Sequence, residues 1–247
     1  MVVFITGGHG SLGTQLKKKY PDCLAPTHKE LDIGYKNAVF AYFKQHPEID
    51  IIIHAGALTG IRPCEEDQPQ AWKTNVEGTR NLIDAVIDSK RKIQFIYVST
   101  ACVFDGHHEM YIESSIPYPE NFYALTKLVG ESEVRKLPQF LIVRTNFVAK
   151  EKWPYPKAFT DRFGTYLFAD GVAQGIYDVQ KEGLTGIVHV VGDKKISVFE
   201  LAKITTSDVQ PMTIKDYSGP KLTMDMSLDT ERWKKYKISE GLFKNIE

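Results

Sequence analysis

No charge of one sign predominates in this chain: 31 Lys and Arg face 31 Asp and Glu across 247 residues. A nucleic-acid binder carries a basic excess on one face, and a polybasic membrane anchor needs one as well, so neither is expected. Long apolar runs are also missing, and no window of the sequence approaches the roughly 18 apolar residues of a spanning helix. The opening Met1-Val2-Val3-Phe4-Ile5-Thr6-Gly7 lacks the basic segment and extended apolar core of a signal peptide. Cysteine is scarce: Cys23, Cys64 and Cys102 are odd in number and far apart. That argues against a disulfide framework or a zinc site and points to a reducing compartment, the cytoplasm. His107 and His108 are adjacent, with no further ligands at metal spacing, so no metal is expected.

What is present is a strand–helix alternation. Val2–Ile5, Asp22–Ala25, Asp50–His54, Ile93–Val98, Phe140–Val143 and Ile187–Val191 read as strands, mostly short apolar runs of the kind buried on both faces of a parallel sheet. Helical spacing lies between them, with Leu12, Leu16 and Tyr20 first, then Val39 to Phe43, Ala71 to Ser89, and Asn121 to Lys136. This order predicts an α/β fold, a Rossmann-type doubly wound parallel sheet. Residues 1–150 are expected to form the dinucleotide-binding domain, with a strand and helix near 185–205 rejoining it. Residues 151–247, where the pattern loosens, are expected to form a small, shortened appended region.

Two constellations carry chemistry. Gly7-Gly8-His9-Gly10-Ser11-Leu12-Gly13 follows the first strand and opens the first helix. Glycines there permit a tight turn and close approach of a pyrophosphate, which the helix N-terminus attracts. Gly7, Gly10, Ser11, Leu12 and Gly13 are therefore candidate cofactor-binding residues. The second constellation is Tyr123-Ala124-Leu125-Thr126-Lys127, preceded by Ser99-Thr100 at the end of a strand. Positions i and i+4 share a helix face, so Tyr123 and Lys127 point into one cleft. A phenol titrates near 10, and an adjacent ammonium is expected to lower that value; the roughly 4 kcal/mol needed to reach neutrality is expected from a partly buried Lys127 together with a cationic nicotinamide ring. Thr100 would orient a substrate oxygen beside the phenol. His28 and Lys29 follow the second strand, where positive charge suits a 2′-phosphate; the expected cofactor is NADP, with NAD as the alternative.

The Gly-x-x-Gly-x-x-Gly spacing resembles that of the extended short-chain dehydrogenase/reductases. Ser99-Thr100-Ala101-Cys102-Val103-Phe104-Asp105-Gly106 and Asn121-Phe122-Tyr123-Ala124-Leu125-Thr126-Lys127-Leu128-Val129-Gly130-Glu131 narrow the resemblance to the dTDP-4-dehydrorhamnose reductase family. It covers residues 1–150 well and the remainder thinly. The resemblance implies that Ala55, Gly56 and Ala57 line the nicotinamide side and that Asp32 and Ile33 meet the adenine. It implies further that Asn75, in Asn75-Val76-Glu77-Gly78-Thr79, and Ser99 attend the cofactor along with Tyr123 and Lys127. Catalysis falls to Thr100, Tyr123 and Lys127, and substrate binding to Thr59, Thr100, Phe104, Tyr123 and Phe147. The implied activity is NADP(H)-dependent reduction of a nucleotide-linked 4-keto-6-deoxy sugar, with the C-terminal region holding substrate and a homodimer left open. An NAD-retaining nucleotide-sugar epimerase and a non-catalytic NADP-binding regulatory subunit are the alternatives. The chain departs from the family at Ala101-Cys102, where Asp-Tyr is usual, and at Phe147, where Trp is usual.

Overall fold

Strands that are apolar at nearly every position need cover on both faces. The computed structural model describes residues 1–238. It has a parallel sheet of β1 (Val2–Thr6), β2 (Ile49–His54), β3 (Gln94–Thr100), β4 (Phe140–Thr145) and β5 (Gly186–His189), in that spatial order. The described α-helices are α1 (Ser11–Lys19), α2 (Lys36–Gln45), α3 (Ile61–Glu66), α4 (Gln68–Trp72), α5 (Gly78–Asp88), α6 (Phe122–Val134), α7 (Ala169–Lys181) and α8 (Val198–Thr205). Alternate strand residues separate into two cores, as a period of two requires. Ile5, Ile53, Val98 and Val143 pack with Leu16 of α1 and Ile176 of α7. Phe4, Ile52, Tyr97 and Ile142 pack with Phe43 of α2, Leu82 of α5 and Val134 of α6.

Two expected elements differ in form. Asp22–Ala25 is a single parallel bridge, Phe4 to Leu24, rather than a strand. Ile5 N–H donates to the Leu24 carbonyl and Leu24 N–H to Val3, each at 2.8 Å. Pro21 and Pro26 bracket the segment and leave too little chain for a longer ladder. Its placement still matters. The chain goes from β1 to one side at Leu24 and then crosses to β2 on the other, which opens a crevice at the carboxyl end of β1. The helix expected over Ala71 to Ser89 is interrupted by a π-turn at Lys73–Glu77, between α4 and α5. Such turns insert an extra residue into the helical ladder.

Beyond residue 150 the chain divides unevenly. α7 lies against α1, and β5 pairs with β4 in the main sheet. α8 instead packs on the short strand Lys157–Phe159, which pairs with Gln210–Met212. Phe163–Gly164 pairs with both Ile196–Ser197 and Asp225–Met226. These pieces share a third apolar cluster that includes Val198, Leu201, Met226 and Leu228. Residues 239–247, the end of the expected C-terminal region, lie outside the described residues.

Candidate functional site

The site begins where β1 ends. Gly7 turns the chain at φ +70°, and a Cβ there would lie 2.7 Å from Gly56 Cα. A Cβ on Gly13 would fall on the Gly7 carbonyl oxygen, so α1 approaches the loop this closely only with glycine at that position. Gly10 is the N-cap of α1; no side chain caps it, and no acid occupies the first turn. The first-turn N–H groups and the helix dipole are thus left for an anion. A cavity of about 410 Å³ opens beside them, lined by Gly7, Gly10, Ser11, Leu12, Gly13, Asp32, Ile33, Ala55, Gly56, Ala57 and Thr59. Asn81 Nδ2 donates to the Ile33 carbonyl at 2.8 Å and fixes that wall. An uncapped helix start facing this cavity fits the pyrophosphate of a dinucleotide. Of the basic pair after Leu24, His28 lines the cavity, 3.5 Å from the Asp32 carboxylate, whereas Lys29 does not. Asp32, expected at the adenine, lies in the same wall.

A second cavity of about 410 Å³ shares Ser11, Ala55, Ala57, Thr59 and Phe147 with the first, so the two are continuous. Ser99, Thr100, Tyr123 and Lys127 line it. α6 starts at the Asn121 cap, whose Oδ1 accepts from Ala124 N–H at 3.0 Å. Farther along, Glu131 accepts from both Ser99 Oγ at 2.6 Å and the Arg144 guanidinium at 2.7 and 2.9 Å, a buried ion pair that fastens α6 to β3 and β4. Gly130 leaves room for the Tyr97 hydroxyl, and the Tyr97 ring supports Lys127 Nζ at 4.0 Å.

Burial dominates the electrostatics of the protein's own groups in this cleft. Burial pushes the Tyr123 phenol well above its ordinary value; Cys102 and Cys64 add to this, while a hydrogen bond with Thr100 opposes it. Burial also pushes Lys127 down to about 7, against the pull of Glu131 and Cys64. In both groups desolvation outweighs the opposing neighbours, Thr100 for Tyr123 and Glu131 and Cys64 for Lys127. Tyr123 is therefore a protonated donor in this cleft rather than a ready phenolate.

Two expected residues stand elsewhere. Asn75 is buried behind the cleft, where its amide clamps Leu58: Oδ1 accepts from Leu58 N–H at 2.8 Å, and Nδ2 donates to the Leu58 carbonyl at 3.0 Å. Phe104 is fully buried and stacks on Tyr111 at 4.4 Å, so it faces core rather than substrate. Conversely, the sequence reading missed Thr145, Asn146, Trp153, Arg162, Tyr166 and Met226, all of which line the second cavity. Among the described residues, the Arg162 guanidinium donates to the Thr223 carbonyl and the Met226 sulfur. The Tyr166 hydroxyl and Thr145 Oγ1 are buried without partners among the described residues. Among the described residues, no carboxylate belongs to this lining. One end of the cleft thus holds a cation and unpaired polar groups, a setting for an anionic, hydroxyl-rich guest.

Comparison with known proteins agrees with this geometry. The chain is 28% identical over 222 residues to dTDP-4-keto-6-deoxy-D-glucose reductase of Streptomyces niveus, covering 81% of this chain and 76% of the relative. It is 28% identical over 233 residues to the probable low-salt glycan biosynthesis reductase Agl14 of Haloferax volcanii, covering 80% and 76%. The structure of dTDP-4-dehydrorhamnose reductase from Bacillus anthracis in complex with NADP superposes with a TM-score of 0.83 at 25% identity, covering 92% of this chain and 90% of that one. Residues 1–163 match the family model described as the RmlD substrate binding domain. The chain belongs to that family, within the extended short-chain dehydrogenase/reductases.

Proposed function

We propose that this chain is an NADP(H)-dependent reductase of a nucleotide-linked 4-keto-6-deoxy sugar. One observation carries the reading: Tyr123, hydrogen-bonded to Thr100, stands in a cleft that runs into the dinucleotide cavity and holds Arg162 with no carboxylate. The names of the Streptomyces and Bacillus relatives support the substrate class and the cofactor. When bound, the nicotinamide supplies a hydride to the keto carbon. Thr100 holds the carbonyl oxygen, and Tyr123 gives it a proton. Lys127 borders the same space and binds the nicotinamide ribose. Ser11, Leu12 and Gly13 hold the pyrophosphate through backbone N–H groups. Arg162 and Tyr166 meet the phosphate end of the substrate, with residues after 150 forming that side of the cleft. His28 is the group placed to favour a 2′-phosphate, Asp32 the group placed to resist it. We place the protein in the cytoplasm, where its three free thiols persist.

The test is a panel of nucleotide-linked 4-keto-6-deoxy sugars, followed by NADPH absorbance and product mass, with NADH in parallel. Reduction of at least one ketone, faster with NADPH, is the expected result. Silence across the whole panel would overturn the reductase reading.

A further inference from the structure

His54 ends β2 fully buried, outside the residues that line either cavity. Its ring nevertheless joins two parts of the site. Nδ1 lies 2.6 Å from Thr6 Oγ1, and Nε2 lies 2.9 Å from Thr79 Oγ1. The direction of each bond follows from counting hydrogens. The Thr79 hydroxyl has one hydrogen and sits 2.6 Å from the Asn75 carbonyl, which only accepts. Thr79 Oγ1 must therefore accept from His54, so the neutral ring carries its hydrogen on Nε2. Nδ1 then accepts from the Thr6 hydroxyl, whose oxygen accepts the Gly56 N–H at 3.1 Å. Burial, followed by the nearby Lys127 charge, pushes His54 down to about 3, which keeps the ring neutral at ordinary pH. The Tyr97 hydroxyl lies beside Thr79 and donates to the Lys127 carbonyl at 3.4 Å, so the relay reaches the ring beneath Lys127.

The far end is equally defined. Asn75 grips Leu58 through both amide atoms and donates to Thr126 Oγ1 at 3.0 Å; Thr126 in turn donates to the Tyr123 carbonyl at 2.8 Å. The segment Ala55–Thr59, pinned at Gly56 and Leu58, contributes Ala55, Ala57 and Thr59 to both cavities. The chain of bonds therefore fixes the wall between cofactor and substrate and the helical turn that carries the proton donor.

We propose that His54 is a positioning residue: through Thr79 and Asn75 it sets the Ala55–Thr59 wall and the Tyr123 turn relative to the phosphate loop. The inference rests on the reductase reading for its effect on rate, and on the bond network alone for its effect on structure. A buried histidine serving only to fill the core would contribute packing and stability with no preferential effect on Tyr123.

The test uses Thr79→Val in the full chain, which keeps the side-chain volume and removes the hydroxyl that both accepts from His54 and donates to Asn75. Thr79→Ser, which retains the hydroxyl, serves as the rescue. Thr79→Val is expected to lower kcat by about tenfold to a hundredfold with KM for the sugar little changed, the scale of a sub-ångström to ångström misplacement. In a Tyr123→Phe background the same substitution should cost less than about twofold, since groups acting as one unit are non-additive. Amide hydrogen exchange provides a readout independent of turnover: protection at Leu58 and across residues 123–127 should fall while that of α7 and β5 holds, and Thr79→Ser should restore it. Unchanged exchange at those amides, or an equal rate loss in both backgrounds, would overturn the proposal. If the parent reduces no sugar while Thr79→Val still releases those amides, the relay stands and the reductase reading falls.

Discussion

At the scale of single residues, Tyr123 and Lys127 are shaped more by loss of water than by each other. A phenol raised by burial starts the reaction protonated, which is what a reduction needs from its acid. Tyr123→Phe should leave NADPH affinity near the parental value and lower turnover by at least about a hundredfold, the share of a positioned general acid. Isothermal titration and single-turnover kinetics check the two halves, and a Phe variant working at the parental rate would remove Tyr123 from the mechanism. Lys127 allows a prediction about stability. Its folded value of about 7 lies below the ordinary Lys value of 10.5. The unfolded chain therefore binds more protons between those limits, and stability rises with pH across that window. The stability associated with this group is present above 10.5 and lost as pH falls through 7. Lys127→Met, which removes the buried charge, should accordingly stabilise the protein by about 1–4 kcal/mol near pH 6. The gain should shrink steadily as pH rises toward 10.5. Urea unfolding at several pH values measures it, and a gain that grew with pH would contradict the assignment. The same variant should turn over poorly, a trade of activity for stability.

At the scale of elements, legibility in the sequence depended on how local each signal was. The sheet strands were readable because two-faced burial writes an unbroken apolar run, as in Ile51-Ile52-Ile53. The glycine loop was readable because its steric demands fall within seven residues, with Gly7 and Gly13 meeting in space as well as in sequence. The Tyr123 and Lys127 face was readable from helical spacing taken together with Ser99-Thr100 upstream and the glycine loop. What was lost is tertiary. The segment Asp22–Ala25 has the composition of a weak strand, yet hydrogen bonding stops at Leu24. Asn75 matched a motif whose spacing says nothing of a π-turn, and that turn aims its amide at Leu58 instead of the cleft. Phe104 sits four residues beyond Thr100, but the helical turn at Ala101–Val103 carries it into the core against Tyr111. Arg162, Tyr166 and Met226 belong to or adjoin strands of only two or three residues, too short to leave a periodic trace.

At the scale of the whole molecule, the arrangement of charge decides which reaction is excluded. In the nucleotide-sugar 4,6-dehydratases that this branch resembles, an Asp-Glu pair follows the catalytic Thr; one carboxyl group protonates the leaving hydroxyl and the other removes a carbon-bound proton. Elimination depends on both transfers. Here the two positions are Ala101, fully buried, and Cys102, whose sulfur lies 3.4 Å from Met226 Sδ. Among the described residues, the cleft lining contains no Asp or Glu to take their place. Carboxylates behind the cleft are already committed, Glu131 to Ser99 and Arg144, and Glu65 to the Phe122 N–H at 2.8 Å. A single thiol cannot serve as a carboxylic acid and a carboxylate at once. Hydride transfer to a ready-made ketone asks less: one proton from Tyr123 and a hydrogen bond from Thr100. The protein should therefore release no water from dTDP-glucose, UDP-glucose or GDP-mannose in the presence of either nicotinamide cofactor. Mass spectrometry of each incubated nucleotide sugar measures this directly. A dehydrated product would show that an acid and base reach the sugar from groups this cleft does not contain, and the division of labour between Tyr123 and Thr100 would have to be redrawn around them.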